Sequence, residues 1–358
     1  MKKGLFIYFL SFVLLLTSCQ SFSRQEKDER PISIAFLPDL AGLEDKSIND
    51  LTQKALESLS SAENLRYEIY LSQSEDRYEK TIIDALEDKP KIVITTGYAL
   101  ADVFNEAAKA HPETAFLTID NIYDQKMMPN NLYSAVIDSQ QLAYLSGYFS
   151  ALASQSYQVG FLEGQPGILT DSYKYGFLAG VYDAGKFRSR EIHAKIETVG
   201  SDADSKKASL LGKSIFDQGA DVAYSPSIKN TLGLMAAAKE KGKKLIANEA
   251  SLIDLAREHF LASLRIDYDF LLEDAVMTIL SGQTDKIKNK TYGFEEESLD
   301  IAIMAESDIK IQEIHSQTKK RMQEILDEKW VIPHNEKMYL NYVSAEPSEI
   351  DKDSGENN

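Results

Sequence analysis

Polar side chains stand directly after several short apolar runs of this chain, where they could hold a small ligand. Carboxylates accept hydrogen bonds, and amides and hydroxyls both donate and accept them, so the set suits non-covalent binding of a polar molecule. Its members are Asp39, Tyr98 after Gly97, Asp120, Asn121, Asn248 and Glu249.

The apolar runs alternate with amphipathic stretches of helical length. This rhythm predicts parallel β-α-β units, and the number of units favours two sheets. Ligands of parallel sheets collect at the carboxyl ends of the strands, which is where the polar set stands. The predicted strands are 33–37, 91–97, 114–120, 157–162, 220–224 and 243–248, and the predicted helices are 46–60, 99–110, 171–184 and 231–241.

Helix capping is the alternative role for each of these polar residues, because Asp, Asn and Ser often cap the helix that follows a strand. Ser47, with Asp50 three residues later, fits a cap and a ligand contact about equally well. Several polar residues at the same kind of position nevertheless favour a pocket.

Enzyme motifs are missing from the sequence. Gly212-Lys213-Ser214 looks like the end of a phosphate loop, but Lys207 stands where that motif needs a glycine. No G-x-S-x-G, H-E-x-x-H or C-x-x-C is present, and the five histidines lack ligand spacing. The sequence therefore predicts neither an enzyme, nor a metal site, nor a cofactor.

The N-terminus has the layout of a signal peptide. Lys2 and Lys3 precede an apolar run from Leu5 to Leu16, which is shorter than the roughly 20 residues of a membrane-spanning helix. Leu16-Thr17-Ser18-Cys19 resembles the bacterial lipobox, and Cys19 is the only cysteine of the chain. We expect residues 1–18 to be removed and Cys19 to carry lipid; an incidental cysteine in an ordinary secreted protein is the alternative.

Composition bounds the rest of the chain. A net charge of −17 argues against nucleic acid as a partner, because phosphate backbones require basic surfaces. Residues 19–31 are polar and predict a flexible tether, while the acidic residues 341–358 predict a disordered tail. The folded body of roughly 32 to 340 is long enough for two domains.

Several short motifs follow one another along the body. They are "PDLAGLEDKSIND" (38–50), "TTGYALADVFNEAA" (95–108), "FLTIDN" (116–121), "AYLSGYFSAL" (143–152), "VGFLEG" (159–164), "YGFLAGV" (175–181), "FDQGADVAY" (216–224) and "AAAKEKGKKLI" (236–246). The first resembles the signature T-D-x-G-G-x-D-D-K-S-F-N, and the set as a whole resembles the basic membrane protein family, the purine nucleoside receptor lipoproteins of bacterial ABC importers.

The resemblance implies a type I periplasmic-binding-protein fold, in which two doubly wound parallel-sheet α/β lobes close on a ligand in the cleft between them. We place the crossings between lobes near 137–139 and 265–267. Residues 32–137 plus 266–340 would then form lobe 1, and residues 138–265 would form lobe 2.

The resemblance also implies site residues, some of which this chain changes. Asp39, Asn49 and Asp120 match positions that hold the base in the family. The family's stacking phenylalanines are replaced by Ile48, which can still cover a base, and by Asp202, which cannot; Tyr98 or Tyr173 could substitute. On the sugar side, the glycine-rich turn reads "AYSPSIKN", Glu249 stands at the ribose-binding aspartate, and Leu264 replaces a lysine.

Two functions follow from the sequence. The first is a monomeric, lipid-anchored receptor on the extracytoplasmic face of the cell membrane, binding a purine nucleoside or related small heterocycle and delivering it to an ABC permease and ATPase. The second is a surface lipoprotein of the same fold whose altered pocket serves sensing or contact with another macromolecule. Binding of nucleosides would distinguish the two.

Overall fold

The computed structural model describes residues 31–40, 42–43 and 47–344. Cys19, the predicted signal peptide, the tether apart from Pro31, and residues 345–358 lie outside the described residues.

Twelve strands of the described chain form two six-stranded sheets. The first contains β1 (Ile32–Leu37), β2 (Leu65–Ile69), β3 (Ile92–Thr96), β4 (Ala115–Ile119), β5 (Leu132–Ile137) and β11 (Asn289–Tyr292). The second contains β6 (Gln158–Glu163), β7 (His193–Thr198), β8 (Val222–Tyr224), β9 (Lys244–Ala247), β10 (Phe260–Ile266) and β12 (Leu299–Ile303).

Helices cover both sheets. Those of the first lobe are α1 (Ile48–Ala62), α2 (Tyr78–Glu87), α3 (Ala101–Ala110) and α8 (Tyr268–Leu280). Those of the second are α4 (Ser139–Ala153), α5 (Ile168–Phe187), α6 (Ser205–Asp217), α7 (Ile228–Lys241), α9 (Ile309–Glu328) and α10 (Glu336–Ser344). The predicted α/β fold with two parallel-sheet lobes is confirmed.

The parallel pairing of the strands explains why the predicted strands are continuous apolar runs. The orders are β11-β5-β4-β3-β1-β2 and β12-β10-β9-β8-β6-β7, and every pairing is parallel except that of β10 with β12. Every residue of β3, β4 and β5 is buried, because helices lie on both faces of a parallel sheet.

The chain passes between the sheets three times. The first passage follows Ile137 and the second follows Ile266, and each leads into an aspartate that caps the next helix. Asp138 Oδ1 accepts the Gln141 N–H of α4 at 3.0 Å, and Asp267 Oδ1 accepts the Phe270 N–H of α8 at 2.9 Å. The third passage runs between β11 and β12.

This third passage corrects the predicted assignment of 266–340 to lobe 1. Strand β12 pairs with β10 in the second sheet, with Arg265 opposite Asp300, and α9 packs against α4 and β12. Residues from Leu299 onward therefore belong to lobe 2. The sheet that an edge strand joins depends on pairing between residues far apart in the sequence, and local periodicity does not reveal that pairing.

The predicted disordered tail also begins too early, because residues 341–344 belong to α10. Two hydrogen bonds hold this helix on α5: Tyr342 Oη donates to Asp183 Oδ2 at 2.6 Å, and Tyr182 Oη donates to the Val343 carbonyl at 3.0 Å. These aromatic side chains stabilise α10 against lobe 2 although the segment is rich in polar residues.

Candidate ligand-binding cleft

Three neighbouring strands of lobe 1 end at one edge of the sheet, and each is followed by a predicted site residue. The order β4-β3-β1 places Asp120, Gly97 and Asp39 in a row, with roughly 5 Å between adjacent strands. The Gly97 N–H donates to the Ile119 carbonyl at 2.8 Å, which ties the β3 loop to the end of β4. Topology thus brings together groups that lie up to 81 positions apart in sequence.

Asn49 orients Asp39. Its side chain is completely buried, and Nδ2 donates to Asp39 Oδ1 at 2.8 Å and to the Gly42 carbonyl at 3.0 Å. The Thr96 hydroxyl donates to Asn49 Oδ1. Both amide hydrogens are used inside the protein, so Asn49 positions the carboxylate rather than offering donors of its own to a ligand.

Ser47 and Ile48 stand at the start of α1. Ser47 occupies the N-cap position, and its side chain makes no capping hydrogen bond. Ile48 is partly buried and packs against the core. Both residues adjoin Asn49 in the sequence, and their predicted contact with a ligand stays a prediction.

Gly97 leaves room beside Asp39. Its φ of +66° is in the left-handed region, and a Cβ there would stand 4.0 Å from Asp39 Oδ2. Any side chain would therefore narrow the space between the strand ends. Tyr98, the next residue, is 73% exposed, so its ring is available at the rim rather than packed in the lobe.

Asp120 and Asn121 end β4. Asp120 has a φ of +61° and is partly buried; burial raises its carboxyl pKa to about 6, opposed by one hydrogen bond at 3.3 Å from the Ile137 N–H. In the described part of the chain, the buried Asn121 Nδ2 has no hydrogen-bond partner. A ligand supplying a donor to Asp120 and an acceptor to Asn121 would satisfy both groups.

The opposing edge of lobe 2 contains Asn248 and Glu249, which follow β9. Asn248 Nδ2 donates to the Pro226 carbonyl at 2.8 Å, so this amide joins the β9 and β8 loops. Glu249 is partly buried and precedes a short 3₁₀ turn, Ala250–Leu255. Of this pair, Glu249 is the one whose charge acts on the cleft tyrosines.

Two tyrosines of lobe 2 are influenced by these carboxylates; the sequence named Tyr173 only as a possible stacking ring and did not single out Tyr224. Tyr173, on the second turn of α5, is partly buried, and its hydroxyl pKa is raised by burial and by the negative charges of Asp120 and Glu249. Asp120 belongs to lobe 1 and Glu249 to lobe 2, so one charge from each lobe acts on this hydroxyl. Tyr224, at the end of β8, is completely buried, and its hydroxyl pKa is raised by burial, Tyr173 and Glu249.

Asp202 bridges the loops that follow β6 and β8, at the same edge of the lobe 2 sheet as Asn248. Its carboxylate accepts the Gln165 N–H at 3.2 Å, and its carbonyl accepts the Ser227 hydroxyl at 2.7 Å. Its exposed position agrees with a loop role, and no aromatic ring stands there.

No described helix combines the length and the apolar character needed to cross a bilayer. Two lobes with parallel sheets and three interlobe passages are the architecture of the type I periplasmic-binding-protein fold. The sequence matches, over residues 33–336, the family described as ABC transporter substrate-binding protein PnrA-like. The chain belongs to this family, as the motifs predicted.

Relatives and solved structures agree with this assignment. Basic membrane protein D of Borreliella burgdorferi (strain JD1) is 23% identical, covering 94% of this chain and 97% of the relative. Basic membrane protein B of Borreliella afzelii (strain PKo) is 30% identical, covering 74% of this chain and 76% of the relative. An ABC transporter solute-binding protein from Conexibacter woesei DSM 14684 superposes with a TM-score of 0.71 at 16% identity, covering 85% of this chain and 99% of that one.

The family settles the class of function. Its members are extracytoplasmic, bind a small molecule and work with a permease and an ATPase. The prediction that the protein is not an enzyme is confirmed, because family and fold are those of non-enzymatic solute-binding proteins.

Proposed function

We propose that this protein is a lipid-anchored, monomeric receptor that binds a purine nucleoside or related small heterocycle between its lobes and delivers it to an ABC permease. The observation that carries the proposal is the pairing of Asp39, held by Asn49 at 2.8 Å, with Asp120 on the same sheet edge. Two fixed carboxylates can accept the ring and exocyclic N–H groups of a planar base, at about 1.5–3 kcal/mol for each hydrogen bond to a charged group.

The second lobe supplies the rest of the site. In this proposal Tyr173, whose hydroxyl pKa is raised by burial and by Asp120 among other groups, offers an aromatic surface for the base. Glu249 accepts hydrogen bonds from hydroxyl groups, such as those of a sugar. Because these groups come from different lobes, a ligand that contacts both stabilises the closed arrangement, and closure is a ligand-driven population shift.

Calorimetry of the full chain in detergent, with a panel of nucleosides, bases and sugars, tests the proposal. We expect micromolar or tighter binding of a nucleoside, lost in Asp39→Ala and in Asp120→Ala. Asp84→Ala is the matched control, because this exposed carboxylate of α2 pairs with Lys80 one turn away and has no other ion-pair partner among the described residues. If no member of the panel binds, the receptor role fails and the sensing or contact role becomes the better explanation.

Lipid attachment at Cys19 is part of the proposal, supported by the lipobox-like residues before it. Acyl chains contribute about 0.8 kcal/mol per buried CH₂, and two or more hold a protein stably on a bilayer. Labelled palmitate should enter the wild-type chain and not Cys19→Ser, which should leave the membrane fraction. Equal membrane retention of Cys19→Ser would exclude lipid as the anchor.

A further inference from the structure

The third passage between the lobes folds back on itself. It consists of residues 293–298, which follow β11 of lobe 1 and precede β12 of lobe 2, and which we call the hinge loop. The N–H and the hydroxyl of Ser298 both donate to the Gly293 carbonyl, at 3.2 and 3.1 Å, and the Gly293 N–H donates to Glu296 Oε2 at 2.9 Å. Direct hydrogen bonds therefore join the two ends of the hinge loop, one of which adjoins each lobe.

The first and second passages are hydrogen-bonded to the two ends of the third. The Asp138 N–H of the first passage donates to the carbonyl of Tyr292, the last residue of β11, at 3.0 Å. The Asp267 N–H of the second passage donates to the Ser298 carbonyl at 2.8 Å. All three passages are thus connected, and a change in the angle between the lobes must alter hydrogen bonds within this group.

Gln141 connects lobe 2 to the hinge loop through its side chain. It lies on the first turn of α4, and its Oε1 accepts the Phe294 N–H at 2.6 Å. Phe294 is completely buried and stands two residues after the end of β11 in lobe 1. Because a buried N–H without a partner is costly, this bond favours the arrangement of the lobes in which it forms.

Gly293 is a second observation at the same place. A Cβ on this residue would stand 2.5 Å from Gln141 Oε1 and 3.3 Å from Asp138 Cβ. The first distance is too short for any side chain, so an alanine at this position would push the Gln141 amide away from Phe294. The amide of Gln141 and the lack of a side chain at Gly293 therefore serve the same contact.

We infer that Gln141 and Gly293 set the angle between the lobes, and with it the tendency of the cleft to close, although neither is among the predicted ligand contacts. The bond from Phe294 to Gln141 links the start of a lobe 1 exit to a helix of lobe 2, so a change of angle breaks it. An interaction that forms in one arrangement alone shifts the populations by its whole free energy. The inference concerns the motion of the lobes and does not depend on which small molecule the cleft binds.

Distances between two spin labels test the inference in the ligand-free full chain carrying Cys19→Ser. Cysteines for the labels replace Ile122, shortly after β4 of lobe 1, and Ile168, shortly after β6 of lobe 2, which are 71% and 88% exposed. In Gln141→Ala, the population at distances other than the main wild-type distance should rise about fivefold, the effect of one hydrogen bond of ordinary strength. Gln140→Ala is the matched control on the same turn of α4; among the described residues Gln140 makes no hydrogen bond to the hinge loop, so the distances should stay unchanged.

Gly293→Ala assigns the effect to this contact. It should raise the same population, and adding Gln141→Ala should raise it no further, because both substitutions remove the same bond. A distribution of distances in Gln141→Ala equal to that of the wild type, whatever the change in Tm, overturns the inference, since Gln141 would then stabilise the fold alone. An equal rise in Gln140→Ala overturns it as well. Failure of every nucleoside to bind would refute the proposed ligand and leave this inference standing.

Discussion

Asn49 offers the sharpest test of how the cleft is built, through the variant Asn49→Asp. The substitution keeps the side-chain size but removes the amide donor to Asp39 Oδ1 at 2.8 Å and to the Gly42 carbonyl at 3.0 Å. One bond to a charged group is worth about 1.5–3 kcal/mol and one neutral bond about 1 kcal/mol. We therefore expect the free energy of unfolding to fall by about 2.5–4 kcal/mol, which at about 2 °C per kcal/mol for a chain of this size lowers Tm by roughly 5–8 °C.

The same variant places a second carboxylate against Asp39, which adds a pH dependence. Two carboxylates at hydrogen-bond distance cannot both ionise easily, so one of them takes up a proton at higher pH than usual. The Tm deficit of Asn49→Asp relative to wild type should therefore shrink as the pH falls from about 7 to about 5. Thermal unfolding followed by circular dichroism measures both quantities.

Asn131→Asp is the matched control. Asn131 is also an amide donor of lobe 1, bonded to the carbonyls of Ala108, His111 and Thr114 at 2.8–2.9 Å, but it precedes β5 at the opposite end of the sheet. Both variants should lose stability, and only Asn49→Asp should weaken nucleoside binding by calorimetry. Equal affinities of the two variants, or an unchanged Tm of Asn49→Asp, would refute the positioning role.

Three further predictions concern other parts of the described chain. Burial raises the pKa of the Asp120 carboxyl from 3.8 to about 6. The stability that this group contributes is therefore fully present below about pH 3.8 and is lost as the pH rises through 6. The Tm of Asp120→Asn should exceed that of the wild type above pH 6 and equal it near pH 4. Gly97→Ala should cost about 1–2 kcal/mol of backbone strain and weaken ligand binding, whereas Gly242→Ala, with a φ of +64° and open space around it, should cost the strain alone. Arg321 Nη2 donates to Asp183 Oδ2 at 2.6 Å in a buried pair, so Arg321→Leu should lower the free energy of unfolding by about 3–5 kcal/mol and make α10 sensitive to protease; a resistant α10 would contradict this.

Sequence patterns predicted much of the architecture because local periodicity and burial are linked in parallel sheets. Predicted strands such as 33–37 and 91–97 correspond to β1 and β3 with bounds shifted by one residue. Polar residues at strand ends marked the cleft edge, since every parallel strand delivers its carboxyl end to the same side. The predicted strands did not include β2, β5, β7, β10, β11 or β12, and the place of β12 in the second sheet is decided by its pairing with β10.

Chain topology and side-chain orientation set the limit of prediction in the cleft. The sequence predicted the same role, contact with the ligand, for Asn49 and Asp39. Only the hydrogen bond between them identifies Asn49 as a positioning residue and Asp39 as the acceptor for a ligand. Tyr173 was ambiguous because a helical residue can face core, solvent or cleft. Its direction depends on how α5 packs, and close approach to α4 is permitted by Gly147, where a Cβ would stand 2.1 Å from the Phe177 carbonyl oxygen.

The sequence by itself determined the class of fold, the family and the position of the two aspartates at strand ends, because local apolar patterns and short motifs are enough to recognise these features. Only the tertiary structure decided that the chain passes between lobes three times, that Asp120 and Glu249 of different lobes both act on Tyr173, and that the buried Tyr224 hydroxyl has no hydrogen-bond partner among the described residues. The physical reason is that strand pairing, helix rotation and the interaction of charges on different lobes depend on contacts between residues far apart in the chain.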